Sequence, residues 1–384
     1  MGCCFKPRKT RQRNSFPDNN NNNNNINNKK PSLIGFKESQ KLKILNPLLQ
    51  CLIHIRPLVD YFNKKFAKVK TRPSYLSYHN SGKCLSDSFK FLIDEISLGK
   101  SAKIRDLNQP NEGVVLFEKM IFKIEPNYNE NQELLLNFIL LRLHKELNKV
   151  ENSDVVNANT ENINKNFAFK SYMQYFQNNI QSIISDLFFG AYYIQTFCCK
   201  CQCTLYSFQP YIYGQYALND VHQYKFQTLK MGKNELYANK IFNAFEISIY
   251  DCLYYDKQMR NKFQMCKNCL NTAPCNYRCI IYFAPKILSF VIYNNLMPNV
   301  KFLIEEKINI NFFSEMKINL NYNLIGIIFN DYPNHYIAYR KSTMNDKWYR
   351  YNNEIIEIKD NINEILMSNK IPYMFFYQNT DSNN

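Results

Sequence analysis

Two cysteine pairs, Cys198-x-x-Cys201 and Cys266-x-x-Cys269, constrain this chain more than any other feature. A Cys-x-x-Cys turn aims two thiols at one point, and two such turns supply four sulfurs for a tetrahedral zinc ion. Segments distant in sequence must then meet. Cys199 and Cys203 crowd the first pair, so its register admits alternatives, and ordinary buried cysteines are the competing reading. The 13 cysteines of this 384-residue chain are not spread as a disulfide framework would be. That pattern favours a metal site in a reducing, intracellular compartment. No secretory signal peptide is visible. The most apolar stretch, Ile280 to Tyr293, is interrupted by Pro285 and Lys286 and is too short to span a bilayer.

The formal charge of +16 raises the question of a nucleic-acid or anionic-membrane partner. Lys, Asn, Ile, Tyr and Phe are all over-used, as in proteins from AT-rich genomes, and Lys inflates the charge. No Arg-rich RNA-binding motif is present, so nucleic acid is not expected. Residues 1–31 form a separate basic and Asn-rich tail that lacks the apolar residues to offset ordering entropy, and disorder is expected there. Its start, Gly2-Cys3-Cys4 followed by Lys6, Arg8, Lys9, Arg11 and Arg13, has the form of a dual-acylation anchor for a membrane surface. Against it, Lys6 stands where Ser or Thr is preferred; the competing reading is an unmodified basic tail. From Ser32 the composition becomes globular. The pattern predicts an apolar-faced helix over Leu45–Val59, ending near Arg56-Pro57, and a buried helix over Gln132–Leu147. Beyond Gly190, short runs rich in Ile, Val, Tyr and Phe predict strands. Helices first and an antiparallel sheet second is an α+β layout.

Four blocks resemble the ubiquitin-specific protease family, in the family's order. GFKESQKLKILNPLLQCL, Gly35 to Leu52, aligns without a gap to the opening box GLxNLGNTCxMNSxLQCL, matching at Gly35, Asn46 and Leu49-Gln50-Cys51-Leu52. The Gln132 helix ends in LHKELN, like the family's LHEELN. The two Cys-x-x-Cys pairs follow, with APKILSFVIY after the second. Last, NHYIAYRK and WYRYNNEIIEI resemble GHYxAYxR and WYxFDDxxVxxV, matching at His335, Tyr336, Ala338, Tyr339, Trp348 and Tyr349.

The resemblance implies a papain-like hydrolase of ubiquitin conjugates, and it exposes what this chain lacks. The nucleophile position, before the helix that begins near Ile44, holds Lys43 in place of cysteine. An ammonium has no lone pair, and a helix N-terminus disfavours a cation. A neutral amine would form an amide as stable as the substrate, with no turnover. The oxyanion position, five residues earlier, is Glu38, whose carboxylate repels a developing oxyanion; losing one such donor costs roughly 2.7–4 kcal/mol. His335 is the equivalent of the catalytic base. The orienting carboxylate is replaced by Asn352, with Asn353 next, and an amide can hold an imidazole without stabilising its charged form. The two acidic positions that face ubiquitin's tail fall on Asn131 and Leu134. The loop before His335 is shortened and has Asn334 where the family has glycine.

The expectation is therefore a papain-like ubiquitin-specific protease fold: a helical thumb over 32–185, a β-rich palm and zinc-finger-like fingers over 186–378, and a tail over 379–384. Structural zinc would sit on Cys198, Cys201, Cys266 and Cys269. Functionally the chain reads as an inactive member that binds ubiquitin or ubiquitinated proteins in the cytoplasm, membrane-associated if its N-terminus is acylated. The alternatives are an active cysteine deubiquitinase with a displaced nucleophile, Cys51 or Cys84, and a domain serving other protein contacts.

Overall fold

The computed structural model describes residues 34–36, 38–39, 41–70, 72–98, 112–129, 134–150, 161–232, 246–293, 300–316, 319–332, 335–343, 345–359, 362–366 and 371–380. Gly2, Cys3, Cys4, Asn131 and Asn334 lie outside them.

The opening helix α1 spans Leu45–Leu52, and every one of its residues is buried. It does not continue to Val59 as its apolar pattern predicts. Ile55 turns extended, with ψ 99°, and a second helix α2 runs Arg56–Lys64 with Pro57 in its first turn. Proline lacks an N–H and has φ preset for a helix start, so here it begins a helix. α3 (Phe66–Val69), α4 (Pro73–Asn80), α5 (Leu85–Leu98), α6 (Glu112–Ile124) and α7 (Leu135–Leu147) complete the helical part. α7 starts at Leu135, later than the predicted Gln132, and buries Leu136, Ile139, Leu140, Leu143 and Leu147.

Two polar side chains of α7 are buried for reasons that the apolar pattern hides. Glu146 accepts from the backbone N–H of Leu85 at 2.9 Å and of Ser86 at 2.7 Å, so it caps the start of α5. Arg142 Nε donates to it at 2.6 Å, which balances the buried charge. His144 Nδ1 lies 2.7 Å from Ser182 Oγ, in the capping box that opens α9 (Ile183–Phe188). Burial holds the His144 imidazole down at about 4.

Beyond Gly190 the strands appear as predicted, with helices interspersed. A four-stranded antiparallel sheet has the order β2 (Thr204–Tyr211), β1 (Gly190–Cys198), β6 (Thr272–Phe283), β5 (Arg260–Met265). α8 (Lys165–Asn179) lies across it, with Ala168 and Tyr172 packed on Ala191, Tyr193, Phe208 and Ile280. The second sheet has the order β13 (Ile355–Lys359), β12 (Trp348–Asn352), β11 (His335–Lys341), β10 (Asn321–Tyr332), β14 (Pro372–Asn379), β7 (Ile287–Tyr293), β3 (Tyr213–Ala217). Its neighbours are antiparallel except β3 and β7; β9 (Lys307–Asn309) also pairs with β10, and β4 (Glu246–Ser248) pairs with β8 (Lys301–Leu303) in a separate two-stranded sheet. The apolar run from Ile280 to Tyr293 thus forms the end of β6 and the whole of β7. Among the described residues no helix is long and apolar enough to cross a membrane. The last strand includes Asn379, whose N–H donates to Lys286 O at 2.8 Å, so the polar tail starts later than predicted.

One core fills the space between α1 and the large sheet: Leu45, Leu48 and Leu52 pack with Ile328, Ala338, Tyr349, Tyr351 and Phe376. Helix α1 is thereby held against the strands that carry His335 and Asn352.

Candidate functional site

The segment before α1 is fixed at both ends. Phe36 N–H donates to Asn353 O at 2.9 Å. Asn46 Nδ2 donates to Asn353 Oδ1 at 3.1 Å. A Cβ on Gly35 would lie 2.6 Å from the Glu354 carbonyl carbon, so only glycine permits this approach of backbone to backbone. Asn353 itself sits at φ 53° in the β12–β13 turn, a conformation that asparagine tolerates well. At the other end Ser39 Oγ donates to Glu118 of α6 at 2.6 Å and accepts from Leu42 N–H at 3.0 Å. This clasp brings Glu38 and Lys43 to the hairpin that carries Asn352.

Lys43 Nζ lies 2.9 Å from Glu38 Oε1. The two substitutions, which the alignment presents as independent losses, are therefore one charged pair. With side chains 36% and 51% exposed it is a surface ion pair, worth about 0–1 kcal/mol. It neutralises the cation at the entrance to α1, but leaves no thiol and no neutral amide donor there.

The second half of the site keeps its arrangement. His335 opens β11 and Asn352 closes β12, adjacent antiparallel strands. His335 Nε2 is 3.1 Å from Asn352 Oδ1, so an N–H at that nitrogen donates to the amide oxygen. That bond orients the imidazole and leaves its second ring nitrogen, Nδ1, buried. Leu134, one of the two tail-facing positions, immediately precedes α7 and offers no charge.

Neither alternative thiol is placed for chemistry. Cys51 is 4% exposed inside α1, and burial pushes its thiol up to about 12. Cys84 is equally buried, with its Sγ 3.4 Å from Glu146 Oε2; burial first, and that carboxylate second, push it up to about 12. A thiol protonated so firmly is a poor nucleophile.

In the four-stranded sheet, the Sγ atoms of Cys198, Cys201, Cys266 and Cys269 lie within 4.8 Å of one another. This settles the register: Cys199 is exposed and falls outside the group. The two turns match bond for bond. Gln202 N–H donates to Cys198 O and Leu270 N–H to Cys266 O, each at 2.8 Å. Cys198 N–H donates to Cys203 O, and Cys266 N–H to Asn271 O. Gln202 and Leu270, each next after the second cysteine of its turn, take φ 55° and 54°. Left-handed backbone at a leucine is strained, and a repeated strained turn calls for something that repays it. Backbone N–H groups at Cys201 and Cys203 hold the Cys198 and Cys201 thiols, respectively, below the usual thiol range. The Cys201–Cys266 sulfur separation is 3.8 Å. Tetrahedral zinc with sulfur at about 2.3 Å places its ligands about 3.8 Å apart, so the donor set fits that ion.

The family model for ubiquitin carboxyl-terminal hydrolase matches residues 37–377. The chain belongs to this family. Among curated hydrolases it is 25% identical over 210 residues to putative ubiquitin carboxyl-terminal hydrolase 11 of Arabidopsis thaliana, covering 52% of this chain and 22% of that protein. It is 24% identical over 194 residues to human ubiquitin carboxyl-terminal hydrolase 15, covering 49% and 19% respectively. The chain thus matches about a fifth of the length of these hydrolases. Among solved structures, a chain of the yeast SAGA DUB module superposes with TM-score 0.58 at 16% identity, over 92% of this chain and 69% of that one. A chain of the SAGA DUB module bound to ubiquitin aldehyde gives TM-score 0.59 at 16% identity, over 92% and 70%. The ubiquitin-specific protease fold is shared. At this identity the reagents of the site have to be read from the chain itself.

Proposed function

We propose that this ubiquitin-specific protease domain binds ubiquitin or ubiquitinated proteins without hydrolysing them. The observation that carries the reading is the Lys43–Glu38 ion pair at the entrance to α1, where the reaction needs a thiolate and an oxyanion donor. The burial of Cys51 and Cys84 supports it by removing both substitute thiols. The oriented His335 supports descent from a working site, and the fold is one that binds ubiquitin in the SAGA module.

The test uses full-length protein in two assays. A ubiquitin probe with a C-terminal electrophile should form no covalent adduct, while labelled ubiquitin should give saturable binding. Adduct formation that His335→Ala abolishes would establish the displaced-nucleophile reading instead. Absence of saturable binding at high micromolar ubiquitin would leave a domain serving other protein contacts.

Two further assignments belong to this proposal. Zinc on Cys198, Cys201, Cys266 and Cys269 staples the fingers and takes no part in chemistry; the matched turns support it. Acylation of Gly2 with Cys3 or Cys4, backed by the basic residues that follow, would place a cytoplasmic protein at a membrane surface. Radiolabelled myristate and palmitate incorporation, with Gly2→Ala as control, tests that assignment.

A further inference from the structure

Arg340 is 5% exposed and has no acidic partner among the described residues. It projects from β11 towards α1, opposite Gly326 of β10, where an added side chain would meet Cys51 Sγ at 3.2 Å. Its Nε is buried without a hydrogen-bond acceptor. Its main electrostatic neighbour is Tyr351, whose phenol side chain interacts with it and whose ring centre is 5.9 Å from the guanidinium carbon; a neutral phenol supplies no counter-charge. An aromatic face at that range offsets only part of the desolvation of a buried cation. Buried charges are ordinarily paired, so an unpaired guanidinium is a demand for an anion.

The space beside it matches that demand. Arg340 lines a crevice of about 10 Å³ together with Cys51, His54, Lys341, Thr343 and Gln378. That volume admits one particle of about the size of a water molecule and is far too small for phosphate, sulfate or a peptide carboxylate. No carboxylate lines the crevice. Lys341 is answered by Glu306 at 3.1 Å, which leaves Arg340 as the uncompensated charge. The hydroxyl of Thr343 and the amide of Gln378 supply neutral donors on the same walls. His54 Nδ1–H donates to Gln50 O at 2.8 Å and is thereby held at the end of α1.

We propose that a monatomic anion of the halide class, chloride in the cell, binds in this crevice against Arg340 and ties α1 to the large sheet. The site is separate from the Lys43–Glu38 pair and asks nothing of ubiquitin binding.

The test is thermal unfolding of the full-length protein at constant ionic strength, exchanging gluconate for chloride and for bromide. Tm should rise with either halide by on the order of 2 °C for each tenfold excess over the midpoint. Arg340→Met should abolish the dependence, and Thr343→Val should move the midpoint to higher halide. Equal melting in gluconate and halide would mean that the crevice holds water, and would overturn the proposal. So would a halide response that survives Arg340→Met. If Arg340→Met does not fold, crystals of the unaltered protein soaked in bromide decide it. An anomalous peak beside the Arg340 guanidinium supports the site, and bromide found only elsewhere refutes it.

Discussion

The corner around Lys43 and the four-cysteine cluster are each a few side chains held in place by turns, and they differ in what those turns present. At the cluster every donor is present, and the turns that aim them match down to two left-handed residues, Gln202 and Leu270. At the corner the turns persist: Gly35 still abuts Glu354, Asn46 still reaches Asn353, and His335 still meets Asn352. What those turns present is the Lys43–Glu38 ion pair. The difference follows from what each site does for the fold. Removing a cluster sulfur would unfasten two strands, whereas exchanging two exposed side chains before α1 costs at most the worth of a surface ion pair.

Four experiments would break or sharpen that contrast. The largest effect is expected at the cluster. Strong chelation, or Cys266→Ser, should lower Tm by on the order of 10 °C or more, since structural zinc contributes several kcal/mol to folding. Calorimetry with metal analysis reads this out, and unchanged melting would reduce the cluster to ordinary buried thiols. Next, Lys43→Cys with Glu38→Asn restores both reagents beside an oriented His335. The double variant should react with a ubiquitin electrophile about 10²–10³ times faster than Lys43→Cys alone, the usual worth of one oxyanion donor. Equal rates would show that the clasp no longer aims residue 38 at the reaction.

Smaller is the pH effect of His144. Its imidazole titrates near 4 when folded against 6.5 ordinarily, so the folded state binds its proton more weakly. The stability it contributes is present above pH 6.5 and is lost as pH falls towards 4, by up to roughly 3 kcal/mol. Denaturant titrations at pH 7 and pH 5 should show a loss that His144→Gln reduces. Smallest is Lys43→Met, which should change the denaturant midpoint by less than about 1 kcal/mol equivalent. A large loss would make the ion pair a structural device and overturn the reasoning above.

Much of this was legible in the sequence, and the exceptions have physical causes. NHYIAY and WYRY stood out by their resemblance to the family's blocks, and the strands that carry them do pair and bring His335 to Asn352. The spacing of the cysteines marked the cluster but not its register, because Cys199 and Cys203 crowd the first pair; the strand ends decide. Pro57 was read as a helix stop, yet in the first turn of a helix the same ring is a start. Glu146 is buried in an apolar helix because its partners are backbone N–H groups, which have no sequence signature. Lys43 and Glu38 looked like separate losses because a pairing across a bend depends on the bend, which the Ser39 hydroxyl shapes. Arg340 was hidden for a similar reason: alternation places it inward, but no pattern reports the absence of a partner.

The hydrogen bonds from Phe36 and Asn46 to Asn353 have a wider consequence. They make the address of residue 43 a property of a hairpin on the far side of the chain, not of residue 43 itself. Whatever side chain occupies that address sits in the same bend, between the Asn353 hairpin and the Ser39–Glu118 contact. Such a scaffold behaves as a socket: its occupant can be exchanged while the wiring around it stays live.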